Sequence, residues 1–410
     1  MKKNFCILPW THLNFDVSGQ TRPCCIYQGR IMKDKTYPFN VEEDNVSDVW
    51  NSEDLKNIRK RFLSGEKLKE CTQCWKEEQG GMDSKRIREL HRFEKLYKEK
   101  FNKDVDWEEF ISNPKLYYLD IKLGNNCNLK CRICSPWSSS KWIKEQKVYD
   151  EHWNMEWSQG YKYNDWADIN DEFWKEIFDV IPDVHYIDLS GGEPFLNKKL
   201  YKLLDYCVET GHSKHITLHF NTNGTIFPSK FIKEYSSEFQ WVDIMFSIDG
   251  IEDKFEYQRF PAKWDEVNDN IDSFIKYQKE NVSYGVCSTM NILNLYHLDE
   301  FVEWVESKGL NYYLNMLEHP NYYNIGLLDD RAKRVITEKL SKLKNNEVQK
   351  VLNYMNNNSV DNITMAEFVE QTANKDIYRK NDFKKVYKEF SELIRYDYYY
   401  EMKKDLLIKK

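Results

Sequence analysis

No run of eighteen apolar residues occurs anywhere in the sequence, which excludes a membrane-spanning helix by length alone. The first residues, Met1-Lys2-Lys3-Asn4-Phe5-Cys6, pass from two lysines to a cysteine without an apolar signal segment, so export is not expected and the chain reads as cytoplasmic. Cysteine is too sparse for a disulfide scaffold, with ten in 410 residues. Positive charge is not in excess either: the formal net charge is −7, which argues against nucleic acid as a principal partner. Proline ends at Pro320 and glycine at Gly326, so the remainder carries no helix breaker. What is left is a polar chain with 31% charged residues, and at about 150 residues per domain its length suits two or three domains.

Four segments follow from the pattern. Residues 1–83 read as a small α+β domain in which Leu8 to Val17 and Thr21 to Ile26 form two strands joined at Ser18-Gly19. Trp50, Leu55, Ile58 and Phe62 then mark a helix that ends at Gly65. Residues 84–115 form a charged helical linker. From 116 to 324 the rhythm is strand then helix, with strands expected at Tyr117 to Leu123, His185 to Ser190, Ile216 to Asn221, Asp243 to Ile248, Tyr284 to Met290 and Tyr312 to Met316. Six such units imply a parallel sheet, doubly wound or closed into a barrel. An insertion at 136–180 holds six tryptophans (Trp137, Trp142, Trp153, Trp157, Trp166 and Trp174) and reads equally as a lid, a substrate-gripping surface or a covering layer. Residues 325–410 form a helical extension whose lysines suggest a solvated face or a partner surface.

The spacing of the cysteines carries the chemistry. Cys127-Asn-Leu-Lys-Cys131-Arg-Ile-Cys134 follows directly on a strand, where parallel α/β folds place their active sites. Three thiolates suit a [4Fe–4S] cube with one iron left open, whereas structural zinc wants four protein ligands; a zinc knuckle borrowing a fourth ligand is the alternative. Gly191-Gly192-Glu193-Pro194 follows the second strand, Asn221-Thr222-Asn223-Gly224 ends the third, and Ser247-Ile248-Asp249-Gly250 ends the fourth, with Arg259 after it. Together these resemble the radical S-adenosylmethionine (SAM) superfamily over residues 116 to about 320.

The resemblance implies a partial (β/α)6 barrel in which Cys127, Cys131 and Cys134 hold a [4Fe–4S] cluster. It further implies that Gly191, Gly192, Glu193 and Pro194 contact the SAM amino group. Asn221, Asn223, Ser247, Asp249 and Arg259 would make ribose and carboxylate contacts. The implied reaction is reductive cleavage of SAM to a 5′-deoxyadenosyl radical that abstracts hydrogen from substrate, fed by an external donor such as flavodoxin or ferredoxin. Ile133 stands where the family commonly has an aromatic residue.

A second thiol set, Cys6, Cys24, Cys71 and Cys74, resembles the twitch domain, a shortened relative of the SPASM auxiliary-cluster domain. Relatives usually carry it after the barrel, and Cys25 competes with Cys24 for the second ligand position. Four thiolates would fill an auxiliary [4Fe–4S] cluster suited to relaying electrons; a zinc ribbon fits the same spacing. Enzymes with such domains mostly oxidise or cross-link residues in peptides and proteins, while others act on sugars, cyclitols or nucleotides. A peptide or protein substrate is expected, since the tryptophan-rich insertion and the helical tail could supply an extended docking surface; a small molecule is the alternative. A non-catalytic metal protein bound to nucleic acid is the remote reading. Cys207 is expected in the core, Cys287 in the core or facing substrate, and His215 and His219 in structural roles rather than as catalytic bases.

Overall fold

The computed structural model describes residues 3–79, 83–155, 162–360 and 362–408; Trp157 lies outside them. All six expected strands form and each is followed by helix, giving the α/β class with parallel pairing and a helical C-terminal extension. By contacts the chain divides into two compact units that cut across the four sequence segments: 1–126, 164–220 and 233–242 in the first, and 127–163, 221–232 and 243–410 in the second.

In the first unit the strands are β1 (His12–Phe15), β2 (Thr21–Arg22), β3 (Tyr118–Lys122), β4 (Tyr186–Ser190) and β5 (Thr217–Thr222), ordered β2-β1-β3-β4-β5. The N-terminal strands are shorter than expected. Leu8–Thr11 is a helical turn, because Pro9 has its ring-fixed φ at the first turn, and Pro23 cannot donate a ladder hydrogen bond and ends β2. The expected hairpin is present, with β1 antiparallel to β2, but β1 also pairs in parallel with β3. The expected helix through Trp50 and Phe62 is two helices, Val46–Trp50 and Glu53–Ser64. Ser52 caps the second by accepting from the Leu55 amide, and Gly65 ends it at a left-handed φ of 85°.

The parallel strands of this unit are two-faced. Leu119, Ile121, Ile187, Leu189, Leu218 and Phe220 are fully or almost fully buried on one face. On the other, the register aligns Asn14, Asp120, Asp188 and His219 in one row across β1, β3, β4 and β5. Parallel sheets covered on both sides are apolar on both sides, so this polar face serves something other than core packing.

The second unit holds β6 (Trp241–Ser247), β7 (Val282–Met290) and β8 (Asn311–Met316), in that order, with β7 and β8 parallel in register from Gly285↔Asn311 to Met290↔Met316. Helices Trp264–Lys276 and Leu298–Ser307 bury Val267, Ile271, Phe274, Phe301, Val302 and Val305. The tail is helical as expected, and most of its lysines are solvated, Lys342, Lys350, Lys384 and Lys388 among them, but one face of it is core. The helix Met365–Arg379, capped by a Thr364/Glu367 capping box, buries Phe368, Val369, Thr372, Asn374, Lys375 and Arg379, and Phe383, Tyr387 and Phe390 complete the core behind it. Lysine count alone did not reveal that these cations have buried partners.

Candidate active site

The two glycines after β4 are dictated by contact. Gly191 sits at φ 116°, and a Cβ at Gly192 would lie 2.2 Å from the Asn126 carbonyl oxygen. That space is taken because Gly192 N donates to Gly124 O at 3.0 Å and Glu193 N to Asn126 O at 2.8 Å. Residues 124–126 are held in turn by Asn164, whose amide donates to Asn125 Oδ1 at 2.8 Å. The Gly191–Pro194 loop is therefore laced to the three residues that lead into Cys127, with Glu193 buried beside them. Gly192→Ala is expected to destabilise the protein by about 1–3 kcal/mol through this overlap, measured by denaturant unfolding.

In the second unit Cys127 and Cys131 are buried and Cys134 is half-buried. Their loop is fixed by its backbone: Lys130 N donates to Phe260 O at 2.8 Å and Arg132 N to Gln258 O at 2.7 Å, while Trp142 Nε1 donates to Cys131 O at 2.9 Å. Asn223 Nδ2 donates to Asn128 Oδ1 at 2.9 Å and stands 3.9 Å from Cys127 Sγ. Arg259 Nη2 is 2.6 Å from Asp249 Oδ2, and the other Asp249 oxygen accepts from Thr289 N at 2.8 Å. The Cys134 thiol hydrogen-bonds to Cys131, which holds Cys131 below the usual thiol range against its burial; Arg259 adds to the lowering. Six of the expected residues of this unit (Cys127, Cys131, Cys134, Asn223, Asp249 and Arg259) thus engage one another or the same loop. Asn221 is half-buried at the end of β5 and Ser247 ends β6. Ile133 is half-buried.

In the first unit Cys6, Cys24 and Cys74 are buried and Cys71 is half-buried. Burial raises all four thiols. Cys71 and Cys74 raise Cys6, Cys6 raises Cys24, and Cys24 and Cys74 raise Cys71 further, so these side chains are neighbours. Cys25 is turned elsewhere: Lys85 Nζ contacts its sulfur at 3.2 Å, with Asp120 and Asp188 nearby, and burial pushes it to about 11. Among the described residues no three Cys, His, Asp or Glu side chains converge to ligating distance. The donor chemistry nonetheless fits iron–sulfur ligation, since the thiolates of three buried and one half-buried neighbouring cysteines repel one another and are relieved by a metal centre. Cys24→Ser is expected to lower the iron content of reconstituted protein by about four atoms per chain and Cys25→Ser to leave it unchanged, read by iron assay.

Residues 121–307 match the family model of the radical SAM superfamily, and residues 6–75 match SPASM, described as an iron-sulfur cluster-binding domain. The chain therefore carries a radical SAM domain over residues 121–307. Its cofactors are SAM, the [4Fe–4S] cluster that binds it, and an auxiliary iron–sulfur cluster, the last associated here with a SPASM domain that precedes the radical SAM domain. An uncharacterized protein of Methanocaldococcus jannaschii is 25% identical over 197 residues, 47% of this chain and 59% of that one. Molybdenum cofactor biosynthesis protein 1 of Dictyostelium discoideum is 25% identical over 228 residues, 54% of this chain and 32% of that one. The chain thus spans less than two thirds of either curated relative. Among solved structures, anSMEcpe with bound AdoMet gives a TM-score of 0.39 at 17% identity, covering 63% of this chain and 66% of that one. SuiB of Streptococcus suis bound to precursor peptide SuiA gives 0.36 at 14% identity, covering 64% and 60%.

Among radical SAM features, the tryptophan-rich insertion is resolved by burial. Trp142, Trp166 and Trp174 are core residues, with Trp174 Nε1 donating to Ala167 O at 2.6 Å; of the insertion's described tryptophans Trp153 is half-buried and only Trp137 is exposed. Cys207 is fully buried in the helix Lys199–Glu209. Cys287 is buried on β7, where Asn315 Nδ2 contacts its sulfur at 3.3 Å. His215 lies 4.9 Å from the His185 ring, while His219 is in the polar row beside Asp188. Sequence reasoning missed Arg132 and Arg379. The available signal for Arg132 was an arginine between two cysteines of a metal motif, a charge that must find a partner when its neighbours are buried. No described helix is long and apolar enough to cross a membrane.

Proposed function

We propose that this radical SAM enzyme abstracts a hydrogen atom from a peptide or protein residue and passes the second electron to an auxiliary cluster held by Cys6, Cys24, Cys71 and Cys74, forming an oxidised or cross-linked product. The observation that carries the reading is the presence of two thiol sets, each gathered within its own compact unit, three thiols on one loop and four buried together. When bound at Cys127, Cys131 and Cys134, the cluster supplies the electron that cleaves SAM and so generates the carbon radical. The chain's own residues bind and orient: Glu193 offers a buried carboxylate to an ammonium, and Arg259, already neutralising Asp249, offers its remaining donors to a carboxylate. Burial of Cys127 and Cys131 keeps water from the reacting centre.

The insertion's tryptophans do not strengthen the peptide reading, since those in the core are not free to grip substrate; its support is the pairing of a SPASM domain with a radical SAM domain. A second reading, chemistry on a sugar, cyclitol or nucleotide, is favoured by the polar row. Among the described residues Asn14 Oδ1 and Asp188 Oδ1 are buried acceptors without hydrogen-bond partners, and Asp120 Oδ2 lies 3.7 Å from His12 Nε2, a row that suits a hydroxyl-rich ligand. The deciding experiment is anaerobic 5′-deoxyadenosine formation by the dithionite-reduced holoenzyme with peptides and with small polyhydroxyl metabolites. Stimulation by peptides supports the first reading, and stimulation by metabolites alone replaces it with the second.

A further inference from the structure

Two buried guanidiniums lie against the three-cysteine loop, and they are used differently. Arg132, fully buried, is saturated. Its Nε donates to Tyr257 O at 2.9 Å, its Nη1 to Thr372 O at 3.5 Å, its Nη2 to Asn381 Oδ1 at 3.4 Å and to Asp376, and its plane lies 3.6 Å from the Tyr257 ring centre. Arg379, at the end of the helix Met365–Arg379, is equally enclosed but only half engaged. Its Nε donates to both Glu145 oxygens, at 2.9 and 3.1 Å, while Nη1 and Nη2 are buried with no hydrogen-bond partner among the described residues.

The surroundings place the Arg379 guanidinium beside residues that hold the cysteine loop. Arg379 stacks over Trp142 at 4.6 Å, and Trp142 is the residue whose indole holds the Cys131 carbonyl and whose ring packs with Cys134. Lys130, the residue before Cys131, shares Glu145 with Arg379 at 2.8 Å. Four cations here, Lys130, Arg132, Arg259 and Arg379, face three carboxylates, Glu145, Asp249 and Asp376, and Lys375 is buried beside them. Two unpaired donors on a buried guanidinium call for an acceptor in the same place.

We propose that Arg379, a residue of the C-terminal extension outside the radical SAM domain match, donates its two unpartnered amino groups to an anionic acceptor seated at the Cys127–Cys131–Cys134 loop. The acceptor is a sulfur of the cluster or the carboxylate of SAM. The inference rests on those three thiols holding the cluster, and it makes Arg379 a positioning residue delivered from the tail, with Glu145 fixing its orientation through Nε.

The test uses reconstituted holoenzyme with Arg379→Gln, compared with Arg379→Lys, which keeps the charge but loses the fork. Two quantities are measured: the cluster midpoint potential by EPR-monitored titration without SAM, and SAM affinity by calorimetry. A shift of the potential to more negative values in Arg379→Gln assigns the acceptor as cluster sulfur. An unchanged potential with SAM bound about tenfold more weakly assigns it as carboxylate. Wild-type values of both, with wild-type iron content and circular dichroism, overturn the proposal. Should Arg379→Gln fail to fold because Glu145 is left unpaired, the double variant Arg379→Gln/Glu145→Gln removes both charges and is read the same way. Full cluster retention in Cys131→Ala would instead overturn the ligand assignment beneath it, so the two failures are separable.

Discussion

Cys131→Ala should reduce SAM cleavage to background and remove about four of about eight iron atoms per chain from the anaerobically reconstituted protein. The size of the effect follows from the ligand count. A cube held by three protein sulfurs has no spare, and Cys131 is the thiol that is both buried and hydrogen-bonded by its neighbour Cys134. The auxiliary set lies in the other compact unit and supplies its own four thiols, so its iron should survive the change. Iron analysis together with 5′-deoxyadenosine formation under dithionite checks both halves. Retention of SAM cleavage in the variant would remove the loop from the chemistry altogether.

Arg132→Ala should cost about 3–5 kcal/mol of stability, because it strands the Asp376 carboxylate beside a buried void. The side chain is fully enclosed and joins the cysteine loop to the C-terminal helix through Thr372 and Asp376. The same Asp376 accepts from Tyr257 at 2.8 Å and from the Phe383 amide at 2.7 Å, so an unbalanced charge there disturbs three elements at once. Denaturant unfolding of the full chain measures the loss. Replacing both partners by neutral amides, as in Arg132→Gln/Asp376→Asn, should recover part of it, since no charge is then left unpaired and the carboxamide oxygen at 376 can still accept from a neighbouring donor. A cost for the double variant equal to that of the single one would mean that the pair itself is not what holds the tail.

The parts of this architecture that could be read from the sequence are those encoded locally. Each barrel strand announces itself by apolar residues within a few positions of a turn. The glycine pair at 191–192 was legible because only a missing Cβ fits beside the Asn126 carbonyl. Pairing between distant segments was not. Nothing around His12–Phe15 specifies a partner more than a hundred residues away in β3, because parallel pairing is set by register and crossover, not by any short motif. The tail was legible as helix with a solvated lysine face, while its buried face was not, for the same reason. Lys375 and Arg379 look like any solvated cation until Glu145 and the rings of Trp142 and Tyr322 are brought to them.

The parallel contact between β1 and β3 carries a practical consequence. Were the first 83 residues removed to obtain the barrel alone, β3 would be left as a bare rim with a row of unpaired amides and carbonyls, the kind of template on which chains stick together. Truncation from the N-terminus should therefore give insoluble material rather than a minimal enzyme, and the auxiliary segment is a structural stave as much as an electron store.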